Sequence, residues 1–201
     1  MKRTVLFLTV AALLVTAFAI LPIHGESAIY DSVIRLHVLA NSDSEEDQAL
    51  KLAVRDALLA EARVLLADVK TRDEAEDVLE DALPALTAVA RETVARKGYD
   101  YPVHITLDEE EYPTRRYENL AFPAGEYLSM RVLIGEAAGA NWWCVLFPPL
   151  CLSAATAKSE AEEAFLAAGL TGEQYRIITD SDNGKYRLRF KILEVAKDLF
   201  D

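Results

Sequence analysis

From Val33 to Leu39 apolar and polar positions alternate, with Ile34, Leu36 and Val38 on one side and Arg35 and His37 on the other. A period of two predicts a strand with one face against a core. The period then lengthens. Leu50, Ala53, Val54, Ala57, Leu58 and Leu65 recur at helical spacing behind Asn41-Ser42-Asp43-Ser44-Glu45-Glu46-Asp47. There Ser42 or Ser44 can cap, and the acids suit the positive end of a helix dipole. This helix is expected to run to about Asp68. Thr71-Arg72-Asp73-Glu74 is a second capping box, followed by an apolar stripe of Ala75, Val78, Leu79, Ala82, Leu86, Val89 and Ala90 and a left-handed stop at Gly98. Pro84 inside that stripe predicts a kink, or two helices, near Leu83.

From Tyr101 the period of two returns. Val103, Ile105 and Leu107 form one run, Leu128, Met130, Val132 and Ile134 a second, and Trp142–Phe147 a third. Tyr112-Pro113-Thr114, Phe122-Pro123-Ala124-Gly125 and Gly135–Gly139 supply the turns between them. An Ala/Glu helix over about Thr156–Ala168 follows, then a strand around Tyr186–Phe190 and a short terminal helix. The expected fold is α+β: an antiparallel sheet of about four to five strands with two long helices packed against it. Residues 30–152 would form its core, and residues 153–201 an extension of the same domain.

The first 25 residues are a separate object. Lys2-Arg3 precedes an uncharged apolar run from Thr4 to Leu21, ended by Pro22 and Gly25. Its length lies where a signal peptide and a membrane-anchoring helix overlap, so cleavage and retention both remain open. Either puts the rest of the chain outside, because the flanking positive charges come first. Charge adds an exclusion. The whole chain carries a net charge of −12, and residues 26–201 hold 19 basic against 33 acidic residues. Such a body is poorly suited to nucleic acid or to an anionic bilayer.

The remaining information is concentrated in Asn141-Trp142-Trp143-Cys144-Val145-Leu146-Phe147-Pro148-Pro149-Leu150-Cys151, which holds both tryptophans and both cysteines of the chain. That much apolar surface is either core or a patch kept for a partner, or both, with Trp142 and Val145 on a different face from Trp143 and Cys144. Outside the cell a Cys144–Cys151 disulfide is the expectation, with two buried free thiols or a nucleophile as the alternatives. A metal site is not expected, since two cysteines lack further ligands, and Asn41-x-Asp43-x-Glu45-x-Asp47 lacks the central glycine and distal glutamate of a calcium loop. No nucleophile elbow, zinc-protease helix or phosphate loop is present. Neither a catalytic residue nor a cofactor is therefore assigned. Asp108-Glu109-Glu110-Glu111 reads as a solvated strand end.

Two blocks carry a family likeness. The first runs Ile34-Arg35-Leu36-His37-Val38-Leu39-Ala40-Asn41-Ser42-Asp43-Ser44 and continues through Asp47-Gln48-Ala49-Leu50-Lys51 to Val54-Arg55-Asp56. The second is Tyr112-Pro113-Thr114-Arg115, Tyr117, Asn119, Pro123-Ala124-Gly125-Glu126-Tyr127 and Gly139 to Cys151. Together they resemble the stage II sporulation protein R family of endospore-forming bacteria, over roughly Ile34 to Leu152. Ala137-Ala138 departs from it, standing where the family has a more polar or glycine-containing stretch. The resemblance implies an exported signalling protein, not an enzyme, in the space between forespore and mother-cell membranes. It further implies a partner: the membrane-embedded aspartic protease, of the stage II sporulation protein GA type, that processes pro-sigma-E. Asn141, Trp142, Trp143, Phe147, Pro148, Pro149, His37, Asn41 and Asp43 are the candidate partner-binding residues.

Overall fold

The computed structural model describes residues 29–117, 120–148 and 158–179. Strand β1 (Ile34–Leu39) leads into helices α1 (Glu45–Leu65) and α2 (Arg72–Arg96), then into strand β2 (Val103–Tyr112). A short hairpin of β3 (Arg115–Tyr117) and β4 (Leu120–Phe122) precedes β5 (Gly125–Ile134) and β6 (Asn141–Phe147). Helices α3 (Lys158–Ala167) and α4 (Gly172–Thr179) complete the described part. The apolar export segment, the strand expected around Tyr186 and the terminal helix lie outside the described residues. No helix among the described residues is long and apolar enough to cross a membrane.

The main sheet has the order β2-β5-β1-β6. It is α+β as expected, with one correction: the sheet is mixed. β1 pairs antiparallel with β6 but parallel with β5, and β2 is antiparallel to β5. The reason is the helix pair. Parallel neighbours need a long crossover, and α1 with α2 supplies one before β2 turns the chain back into β5. β1 is thereby inserted at the centre of the sheet and buried on both faces.

One face of the sheet packs on α1 and α2. Leu36, Val38, Met130 and Val132 meet Leu50, Val54, Leu58, Leu79 and Leu86 there, all at most 3% exposed. The other face carries a second, aromatic core in which Tyr112, Tyr127 and Val145 meet Phe122, Phe165, Tyr175 and Ile178. Ser44 caps α1 by accepting the Asp47 N–H at 3.1 Å, and Thr71 with Glu74 forms the capping box of α2. α2 stays one helix across Pro84, and not two. Pro84 and Glu80 both lie on the exposed side, so the Glu80 carbonyl that loses its partner faces water. α1 ends at Leu65, three residues short of the expected point. α4 was not foreseen, although Thr171 and Gln174 bond each other's backbone N–H as a further capping box.

The loop before α1 and the turn between β5 and β6 clasp each other. Asn41 donates to Asp47 at 2.8 Å and accepts the Glu136 N–H at 2.9 Å, while Asp43 accepts the Ala140 N–H at 2.6 Å. Lys51, buried, donates to the Ala140 carbonyl at 2.8 Å and to Gln48. Hydrogen bonds from Ser42 and Asn41 hold the Asp47 carboxyl below its ordinary range. Gly139 lies so close that a Cβ there would drive into the Ser42 carbonyl, and Ala137 adopts φ 51°, a conformation costly for any residue with a Cβ. Gly139→Ala is expected to lower stability by about 1–3 kcal/mol through overpacking. Ala137→Gly is expected to raise it by up to about 1 kcal/mol. Urea unfolding of the two variants checks the opposite signs.

Candidate functional site

Strand alternation decides where the tryptophans go. Trp142, Cys144 and Leu146 point toward the helices, whereas Trp143 and Val145 point into the aromatic face. This corrects the expected split: neighbours in a strand alternate, so Trp142 shares its face with Cys144 and Trp143 with Val145. Trp142 is half-buried with the Arg55 guanidinium 4.1 Å over its ring, and its indole Nε1 is buried without a partner. Phe147 and Pro148 are buried. Cys144 is buried, while Pro149 and Cys151 lie outside the described residues.

Trp143 belongs to a polar and aromatic row across the second face. β1 brings His37 level with Trp143 of β6 and with Arg131 of β5, which in turn is level with Thr106 of β2. The His37 and Trp143 rings stack at 3.5 Å between centroids and 15° between planes. Arg115 covers Trp143 at 4.8 Å, and the Tyr112 ring meets its edge at 4.6 Å. His37 is held at both ring nitrogens: Nδ1 lies 2.8 Å from Glu110 Oε1 and Nε2 lies 3.0 Å from Asn141 Oδ1. Burial pushes the Glu110 carboxyl up, but the hydrogen bond and charge of His37, with Arg131 3.7 Å away, outweigh it and hold the group below its ordinary value.

One step along the same face sits Arg35, fully buried with no carboxylate beside it among the described residues. Its Nε donates to the Cys144 carbonyl at 3.2 Å and its Nη2 to the Tyr117 hydroxyl at 2.8 Å. The rings of Tyr112, Phe122, Tyr127 and Tyr117 surround the guanidinium at 4.4 to 5.9 Å, and Nη1 has no hydrogen-bond partner. Burial raises the Tyr112 hydroxyl well above its ordinary value and the Tyr117 hydroxyl in the same direction, so both stay neutral donors or acceptors.

Of the candidate residues, the structure brings His37, Asn141 and Trp143 into one cluster. Asn41 and Asp43 serve the clasp, and Trp142, Phe147 and Pro148 lie apart from that cluster. Sequence reading missed Arg35, Glu110, Tyr112, Arg115 and Arg131 as parts of the site. The signal for Glu110 was parity: in a strand that reaches Tyr112, position 110 shares the face of His104 and Thr106. Among the described residues no nucleophile is aligned with a base, and no cluster of metal-ligating side chains occurs.

A family model for stage II sporulation protein R matches residues 30–157. Stage II sporulation protein R of Bacillus subtilis (strain 168) is 44% identical over 123 residues, which is 61% of this chain and 55% of that protein. The chain thus spans little more than half the length of that relative. No solved structure matches.

Glu110→Gln keeps the shape and removes the charge facing His37, and is expected to cost roughly 2 kcal/mol near neutral pH. Because the folded-state pKa lies below the ordinary 4.5, the contribution is complete above that value and fades as pH falls through the lowered one. The gap between wild type and variant in urea melts should therefore close in acid.

Proposed function

The chain belongs to the stage II sporulation protein R family, and from that premise we propose that it is an exported activator of the membrane-embedded aspartic protease that processes pro-sigma-E. A role in sporulation follows from the family itself, whose model covers most of the domain. The match to residues 30–157 is the observation that carries the reading. The chain would reach the space between the forespore and mother-cell membranes through residues 1–25, either released there or held by them. It would act as a ligand and not as a catalyst.

The geometry is compatible with a ligand. The His37–Trp143 stack is fixed from below by Glu110 and Asn141 and from the side by Arg115, so an aromatic anchor is presented with little freedom to lose on binding. A Cys144–Cys151 bridge would brace the end of β6, on which that anchor stands.

Two experiments test this. Co-expression of the chain with the candidate protease and pro-sigma-E in a non-sporulating host should give precursor shortening on immunoblot that requires both this chain and its first 25 residues. Trp143→Ala should reduce shortening at least tenfold while the circular-dichroism spectrum stays native. Shortening without the chain, or none with all three present, would remove the activator reading. For the bridge, maleimide should label the exported chain only after reduction; labelling beforehand would mean free thiols.

A further inference from the structure

Among the described residues, the second face of the sheet is covered on one half and open on the other. β3, β4, α3 and α4 build the aromatic core over Arg35, Tyr127 and Val145. Beyond them two rows of four residues cross the sheet. Thr106, Arg131, His37 and Trp143 form one row, and His104, Leu133, Leu39 and Asn141 form the next. His104, Thr106, Arg131 and Asn141 are exposed, Leu39, Leu133 and Trp143 half-buried, and His37 buried beneath the Trp143 stack. Four strands make this strip about 15 Å wide, the span of about five extended residues.

Its charge sets it apart. None of the eight residues is acidic, in a chain where 33 acids face 21 lysines and arginines. Acids border it: Glu110, bonded to His37; Asp108, one row away on β2; Glu136, in the β5–β6 turn; and Asp43, bonded to the Ala140 N–H beside Asn141. Arg131 is 47% exposed, and among the described residues its ion-pair partner is Glu110 Oε1, at 3.7 Å and already bonded to His37 at 2.8 Å. Its positive charge is therefore directed mainly outward. Arg115, over Trp143, adds a second cation at the rim. The apolar pair Leu39 and Leu133 lies between them and the far edge, so the strip alternates cationic, aromatic and aliphatic surface.

The geometry points to this strip as the docking site for an extended, acidic segment of a partner protein, lying across β2, β5, β1 and β6. Charge complementarity selects that occupant. The net negative charge of the body disfavours such a segment over most of the surface, so the strip both orients it and speeds its capture. Carboxylates of the segment would pair with Arg131 and Arg115, and alternate apolar side chains would cover Leu133, Leu39 and the open edge of Trp143. The inference rests on the activator reading only for the identity of the partner.

The test has two arms. In the first, a ten-residue peptide alternating Glu and Val is titrated into the purified full chain, followed by tryptophan fluorescence, which reports from Trp142 and Trp143 alone. Binding is expected, weakened at least tenfold by Arg131→Glu and also by Thr106→Glu, which sets an acid directly opposite Arg131 at an exposed position and competes for its charge. Arg131→Lys should bind within threefold of wild type. In the second arm the same variants enter the precursor-shortening assay and should fall in the same order. A peptide that does not bind, or that binds the two charge variants as tightly as wild type, overturns the strip whatever the processing result. Peptide binding with the expected ranking, in a chain that supports no processing, leaves the strip standing and removes the activator reading alone.

Discussion

A guanidinium taken wholly out of water must be solvated by the protein, and Arg35 imposes that demand at the centre of the sheet. Burying such a charge costs several kcal/mol. Two hydrogen bonds to the charged group and four aromatic faces are enough to offset it, at about 1.5–3 kcal/mol per bond and up to about 2 per desolvated ring contact. The rings come from β2, β3, β4 and β5, so the small hairpin has to fold over the sheet for Arg35 to be tolerated. Tyr112 in turn packs against Trp143, and Trp143 against His37. The ordered cluster around Trp143 is thus an extension of the device that keeps one cation inside.

The elements that rest on local signals were legible in the sequence. The capping box at Thr71, the stop at Gly98 and the strands β1 and β5 each depend on a few neighbouring residues, and the structure reproduces them. Pairing was not legible, because nothing local in Ile34–Leu39 says that it lies parallel to β5 and between two later strands. Nor was the cage. A lone Arg35 in a strand reads as its solvent-facing side, and the acid run at 108–111 reads as a wet strand end. Only the tertiary arrangement turns Glu110 toward His37 and closes tyrosines over Arg35. Asn41 and Asp43 stood out by spacing, and their use is local: they fasten backbone.

Splitting the second face into a closed half and an open half divides labour within one layer. The closed half holds residues whose polar atoms are satisfied from inside, at the cost of accessibility. The open half borrows its rigidity, since His37 and Trp143 are gripped from below and present only an edge. Under the proposed role as a ligand, surface that is ordered before a partner arrives has less freedom to lose on contact.

The clasp between residues 41–51 and 135–140 also bears on how sequences of this family can drift. Because Asn41, Asp43 and Lys51 bond backbone groups of the turn, what they recognise is the path of that turn and not its side chains. Composition at Ala137 and Ala138 is not read by these bonds, whereas Gly135 and Gly139 leave no room for a Cβ. Length is not free to change. One residue gained or lost before Asn141 would slide β6 by one position against β1 and turn Trp143 to the helix side, exchanging the two faces of the strand. The segment from Gly135 to Ala140 therefore acts as a ruler, and an insertion in it would be far more damaging than any single replacement.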